Sequence, residues 1–223
     1  IATSQAQIDD QLYIANDSVF FARRNTGIFS LPLSASAIVR AFRAEGMEVT
    51  QGIQNLANNA PLVAEKLTYV RAYAVQTSGP NTPNVEAHLV GTRNGTPLPG
   101  SPLQPINGVR ALASGGGFDR ARLNDGWYFR LPAAWLTAGP ITLQLVVDPR
   151  RMHSDPDRND NQIIQNVTFQ DVPPVCVWTV PVRTHTPLPS VNDPNFWAMI
   201  DQFERRWPTP DVWVFRDTDP VEE

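Results

Sequence analysis

The chain is poor in the residues that most often carry chemistry. Among 223 residues it has one cysteine, Cys176, and three histidines, His88, His153 and His185. A lone cysteine forbids an internal disulfide. It sits in the apolar run VPPVCVWTVPV and therefore reads as a small buried hydrophobe rather than a nucleophile. No histidines stand four apart, so the His-Glu-x-x-His arrangement that brings two imidazoles to one zinc ion is missing. There is no Gly-x-Ser-x-Gly elbow, and Gly115-Gly116-Gly117-Phe118-Asp119 lacks the Lys-Ser/Thr of a phosphate loop. No apolar run approaches the ~18 residues that read as a membrane-spanning helix. Lys66 is the only lysine, the arginine doublets at Arg23–Arg24, Arg150–Arg151 and Arg205–Arg206 are scattered, and the net charge is −4. That excludes the clustered cations with which proteins hold nucleic acid.

What is abundant points to β structure. Apolar residues make up 42% of the chain, enough for a core, and 21 prolines with 13 glycines imply many turns and few long helices. In PITLQLVVDPRRMHSDPDRNDNQIIQNVTF, residues 140–169, Ile141, Leu143, Leu145 and Val147 alternate with Thr142, Gln144 and Val146. Successive strand side chains point to opposite faces, so this is one dry face and one wetter face. Ile163, Val167 and Phe169 repeat the pattern after the loop. Glu45–Ile53, Leu67–Val75, Val85–Leu89 and Trp127–Leu131 read as further strands, and Asn94-Gly95 as a tight hairpin. The expected fold is mainly β: an immunoglobulin-like antiparallel β-sandwich over residues 45–171. Residues 1–44 form an N-terminal β arm, or the end of a preceding β domain, with strands near Leu12–Ile14, Val19–Phe21, Ile28–Leu33 and Ile38–Phe42.

After Pro173-Pro174 the pattern changes. Val175–Val182 is a nearly continuous apolar run, the mark of a strand covered on both faces. Asp193 fits a helix N-cap and Pro194 the first helical position, where a missing N–H is harmless. Phe196, Met199, Ile200, Phe203 and Trp207 form one stripe at helical spacing, Pro208 ends it, and Val212–Phe215 is the next strand. Residues 172–223 are thus a partial β-α-β unit, the start of a second domain. One helix and two short strands bury too little to stand alone, so the unit packs on the sandwich or its sheet continues elsewhere. The start at Ile1 without methionine and the acidic ending DTDPVEE read as a processed chain or a fragment.

The candidate site is the acidic loop. Asp155, Asp157, Asn159 and Asp160 have the two-residue spacing that lets loop carboxylates converge on calcium, although the central Gly and distal Glu of an EF-hand are missing. The alternative is a polar turn whose Asx side chains cap their own backbone. Calcium is the single cofactor this reading implies. Of the six tryptophans, Trp127 and Trp178 lie on strand patterns that imply burial, Trp207 joins the helix stripe, and Trp135 is the one placed for exposure. His88 reads as a surface strand residue and His153 as solvated. His185, after a strand end, is a polar loop residue or, in a third reading, part of a hydrolase site.

MEVTQGIQ at 47–54, PLVAEK at 61–66 and TYVRAY at 68–73, with LPGSPL at 98–103 and the Asp148-Pro149 strand end before the Asn-rich loop, resemble a pattern of bacterial secreted proteins. In these, a CARDB-like (cell-adhesion-related) immunoglobulin-type sandwich precedes a metallopeptidase-like α/β domain. The resemblance covers residues 45–170 and, more weakly, 175–215. It implies a non-catalytic module for interaction or positioning, secreted or at the cell surface, whose partner is another protein or the rest of a parent chain. Neither nucleic acid nor a membrane span is expected. A competing expectation is a structural subunit of a surface assembly, with residues 1–44 adding a strand to a neighbour.

Overall fold

A computed structural model describes residues 12–15, 18–23, 27–32, 38–183, 192–217 and 221–222. The chain divides into two compact units, residues 1–39 and 40–223. In the first, β1 (Leu12–Ala15), β2 (Ser18–Arg23) and β3 (Gly27–Pro32) form an antiparallel sheet in that order, with Tyr13 opposite Phe20 and Phe21 opposite Phe29. The strands expected there are present, and the turn expected at Asn16-Asp17 lies outside the described residues.

The second unit holds a sandwich. Its strands are β4 (Ala41–Thr50), β5 (Leu62–Val63), β6 (Tyr69–Ser78), β7 (Thr82–Val85), β8 (Ala87–Arg93), β9 (Thr96–Pro97), β10 (Arg110–Leu112), β11 (Trp127–Arg130), β12 (Gly139–Val147) and β13 (Gln162–Gln170). One sheet runs β11-β6-β4 and the other β5-β13-β12-β8-β9, while β7 and β10 pair separately. Every ladder between neighbours is antiparallel except the two-residue β5–β13 contact. The inward residues of both sheets merge into one core, among them Met47, Val70, Trp127, Leu89, Leu143 and Phe169. The strand expected at Glu45–Ile53 begins earlier, at Ala41, so a domain boundary at residue 45 falls inside β4.

A bulge explains why the strand signals at Ile38–Phe42 and Glu45–Ile53 read as separate although one strand spans the two. Ala44 pairs with Ala74 and Gly46 with Tyr73, leaving Glu45 unpaired. One extra residue reverses the phase of alternation. Phe42 therefore faces inward before the bulge, and Met47 and Val49 after it. The hairpin expected at Asn94-Gly95 joins β8 to β9, with both residues at positive φ, 51° and 78°. That is the backbone twist a two-residue hairpin demands.

Three tryptophan and cysteine expectations are corrected. Trp135, expected to be exposed, is fully buried. The 3₁₀ turn Ala133–Trp135 lays its ring against β8 at Gly91, where any Cβ would overlap the indole, and Nε1 donates to Pro99 O at 2.8 Å. Trp178, expected to be buried, is 66% exposed, and Cys176 is exposed as well. Both lie on β14 (Val175–Thr179), which is not covered on both faces. After β15 (Val182–Arg183) comes helix α1 (Pro194–Arg206), then β16 (Val212–Arg216) and β17 (Val221–Glu222). β14 pairs in parallel with β16, and β15 with β17, so the expected strand–helix–strand unit is present. Asp193 caps α1 by accepting from Asn195 N at 2.8 Å. The apolar stripe is narrower than expected: Ile200 is buried and Phe196 and Phe203 half-buried, while Met199 is 56% and Trp207 53% exposed. Trp207 is the C-cap; its ring stacks on Phe203 with centroids 5.1 Å apart, yet its outer side stays open to solvent.

Candidate functional site

The one lysine marks the place where the strand–helix–strand unit meets the sandwich. The loop after β4 is built around Gln51. Its side-chain amide donates to Val63 O at 2.7 Å and Thr68 Oγ1 at 2.8 Å and accepts from Val63 N at 2.8 Å. Ala64 N donates to Gln170 O, and Glu65 N to Leu136 O, both at 2.8 Å. Glu65 itself sits at φ 64°, a conformation that disfavours a side chain and needs such surroundings to persist. This turn sends Lys66 toward α1.

Lys66 is 8% exposed. Its ammonium donates to Glu204 O and, at 3.4 Å, to Thr209 O. Glu204 lies in the last turn of α1, where backbone carbonyls have no helical partner and the helix dipole is negative, so a cation belongs there. Thr209, buried, then ties the unit to itself. Its hydroxyl donates to Asp211 O at 2.6 Å and accepts from Val175 N at 3.2 Å, at the start of β14. Burial holds the Lys66 amine below its ordinary value, and the Glu204 carboxylate opposes that shift. Between Gln51, Lys66 and Tyr69 on one side and Asp201, Glu204 and Arg205 on the other lies an open cleft of about 540 Å³. The lone lysine was visible in sequence, but nothing in its spacing pointed to a helix end more than 130 residues away.

The acidic loop lies against the start of β4. Asp155 Oδ2 accepts from Phe42 N at 2.9 Å and Oδ1 from Asp157 N at 3.1 Å, while Asp157 Oδ1 accepts from Asn159 N at 3.0 Å. Asn159 is exposed, and Asp160 offers its main-chain oxygen to Ala44 N at 2.8 Å. Burial raises the Asp160 carboxyl, helped by the charges of Asp157 and Asp155. With Arg40 N donating to Ser154 O at 2.9 Å, the loop satisfies alternate N–H groups along the start of β4. Among the described residues, no group of three or more His, Cys, Asp or Glu is arranged to hold a metal ion.

Asp148, buried at positive φ, organises the loop's entry by accepting from Met152 N at 2.9 Å, His153 N at 3.1 Å and Arg158 Nη1 at 3.3 Å. His153 is therefore not solvated. Its ring packs edge-on against Phe42 with centroids 5.4 Å apart. His88 is half-buried beside Gln104, and desolvation lowers its imidazole pKa. His185 lies outside the described residues.

A second network covers the outer face of β4 and β6. Glu48, 5% exposed, accepts from Tyr73 Oη and Arg120 Nε, each at 2.7 Å. Phe118 stacks on Tyr73 at 4.4 Å, and Arg71 reaches the carbonyls of Arg120 and Arg122. Burial, then the bond to Glu48, pushes the Tyr73 phenol well above its ordinary value of 10. This network pins the segment after the Gly115–Gly117 turn.

No protein-family model matches the chain, and no curated protein matches it. Among solved structures, it is similar to the CARDB domain of the PF1109 protein from Pyrococcus furiosus, seen in a crystal structure in complex with di-metal ions. The identity is 11% over 59% of this chain and 90% of that one, with a TM-score of 0.38. A solution structure of the same domain is 13% identical over 59% and 95%, with a TM-score of 0.36. Both are CARDB domains, the kind of sandwich that residues 45–170 resemble, and the sandwich itself stands on its own strand order.

Proposed function

We propose that this chain is a non-catalytic module in which a CARDB-like sandwich positions the strand–helix–strand unit, as an accessory region of a larger secreted, peptidase-like protein. The observation that carries the positioning role is the buried Lys66 ammonium, which ties a loop of the sandwich to the C-terminal end of α1. A buried charge is expensive unless its hydrogen bonds are met. Here they are met only when α1 and the sandwich keep one relative placement, so the lysine acts as a register pin. The secreted, cell-surface setting and the peptidase-like parent rest on the sequence resemblance. Among the described residues, no helix is long and apolar enough to cross a membrane.

Lys66→Met keeps the apolar stem and removes every donor. Limited proteolysis is expected to cut within residues 172–217 markedly faster in this variant, while the sandwich melts at its usual temperature. Equal cleavage rates in the two proteins would remove the pin from the argument.

A further inference from the structure

The two edge strands on either side of the sandwich are treated differently. The edge of β4 is sealed: the acidic loop takes the N–H groups of Arg40, Phe42 and Ala44, and Asn58 bonds Val49 N and Met47 O, each at 2.7 Å. β13 has β12 along one side, but on the other only β5, at Phe169 and Gln170. Val147 N donates to Asn161 O, so odd-numbered residues of β13 bond toward β12. The even-numbered ones turn their backbone groups to the outer edge, as Gln170 O does when it accepts from Ala64 N. Among the described residues, no strand pairs with that edge from Gln162 to Thr168. The strand QIIQNVTFQ also carries no charge, no proline and no bulge, the devices that protect an open edge. Ile164, on its outward face, is 58% exposed.

We propose that this edge pairs, antiparallel, with the same edge of a second copy about a two-fold axis at Ile164. The sequence is self-complementary in that register. Ile164 meets Ile164 and Gln162 meets Asn166, and the pairing stops short of Asp160, which lies in a turn and whose main-chain oxygen already accepts from Ala44 N. Gln162 Oε1 already accepts from Gln144 Nε2 at 2.7 Å, and Asn166 Oδ1 from Thr142 Oγ1 at 2.8 Å. Both amides keep their NH₂ groups to donate across the axis. The one competing bond, from Gln165 Nε2 to Asn166 O at 3.1 Å, is exposed and easily displaced. A strand from another protein would satisfy the backbone; a second copy satisfies it and also matches these side chains. One strand pair lies below the roughly 1,200–2,000 Å² of standing complexes, so the dimer is weak and concentration-dependent.

Sedimentation velocity on the whole chain, from micromolar to millimolar, tests this. The expected result is a monomer–dimer equilibrium that is lost in Ile164→Lys, where two ammonium groups meet at the axis, and retained in Trp178→Ser. Ile164 is exposed, so the circular dichroism spectrum of Ile164→Lys should match the parent. A parent chain that stays monomeric throughout overturns the proposal and leaves the edge to a strand of other origin. A dimer that survives Ile164→Lys overturns it too.

Discussion

The sandwich and the strand–helix–strand unit are written in the same alphabet of apolar strands, yet they bury it very differently. In β12, Ile141, Leu143, Leu145 and Val147 are each at most 2% exposed, because a second sheet lies across them. In β14 and β16, Trp178, Trp213 and Phe215 share one face and are 66%, 52% and 42% exposed. Trp178 and Phe215 stack on each other, with centroids 5.4 Å apart, rather than on a covering layer. Burial depends on what lies opposite a face as much as on the residues that form it.

The largest expected effect follows from that contrast. Trp135→Ala empties a fully buried site against Gly91 and removes the bond to Pro99 O, and is expected to cost about 3–5 kcal/mol. Trp178→Ala removes a ring of the same size from a face that, among the described residues, no second layer covers, and should stay within about 0.5 kcal/mol. Chemical denaturation of both variants checks this. A Trp178→Ala loss as large as that of Trp135→Ala would mean that the β14–β16 face is covered in solution, and the comparison would fail.

A smaller effect separates the two regions by pH. The Tyr73 phenol keeps its proton in the folded chain above its ordinary value of 10, because of burial and the bond to Glu48. Above that pH the unfolded chain sheds a proton that the folded one retains, so stability falls as pH rises. Lys66 acts in the opposite sense: its amine is lowered, so the folded chain releases the proton first and stability from that group rises with pH up to 10.5. Comparing the parent with Tyr73→Phe cancels the lysine. The variant should lose about 1 kcal/mol at neutral pH with the hydroxyl's bond. Its melting temperature should then fall less steeply than the parent's above pH 10. Parallel curves would show that Tyr73 is solvated.

Much of this was legible in the chain itself. The β12–β13 pair, the Asn94-Gly95 hairpin and the Asp193-Pro194 helix start depend on local periodicity and turn chemistry, which sequence displays directly. The unity of β4 was not: strand signals at Ile38–Phe42 and Glu45–Ile53 read as two elements, because the bulge at Glu45 breaks the alternation between them. Trp135 and Trp178 were assigned the wrong way round, since one is buried by a contact to Gly91 and the other lies on a face that no layer covers among the described residues. Neither fact is local. The role of Lys66 was hidden for the same reason: its partners are main-chain carbonyls, and a carbonyl leaves no trace in residue type.

The smallest expected effect concerns the acidic loop. Calcium takes six to eight oxygens. At Asp155 both carboxylate oxygens, and at Asp157 one, already accept backbone N–H groups, and one of those bonds seals the edge of β4 at Phe42. Drawing these oxygens onto an ion would strip acceptors from the loop that the sandwich uses, so an ion would have to offset that loss before adding stability. Thermal melting with EDTA, and again with excess calcium, is therefore expected to give one midpoint. A midpoint that rises with calcium and returns with EDTA would reverse this. An ion at a hundred times its Kd adds about 2.7 kcal/mol, too large a shift to miss. In that case Asp155, Asp157, Asn159 and Asp160 would be its ligands, and the seal on β4 would depend on the ion rather than on the carboxylates alone.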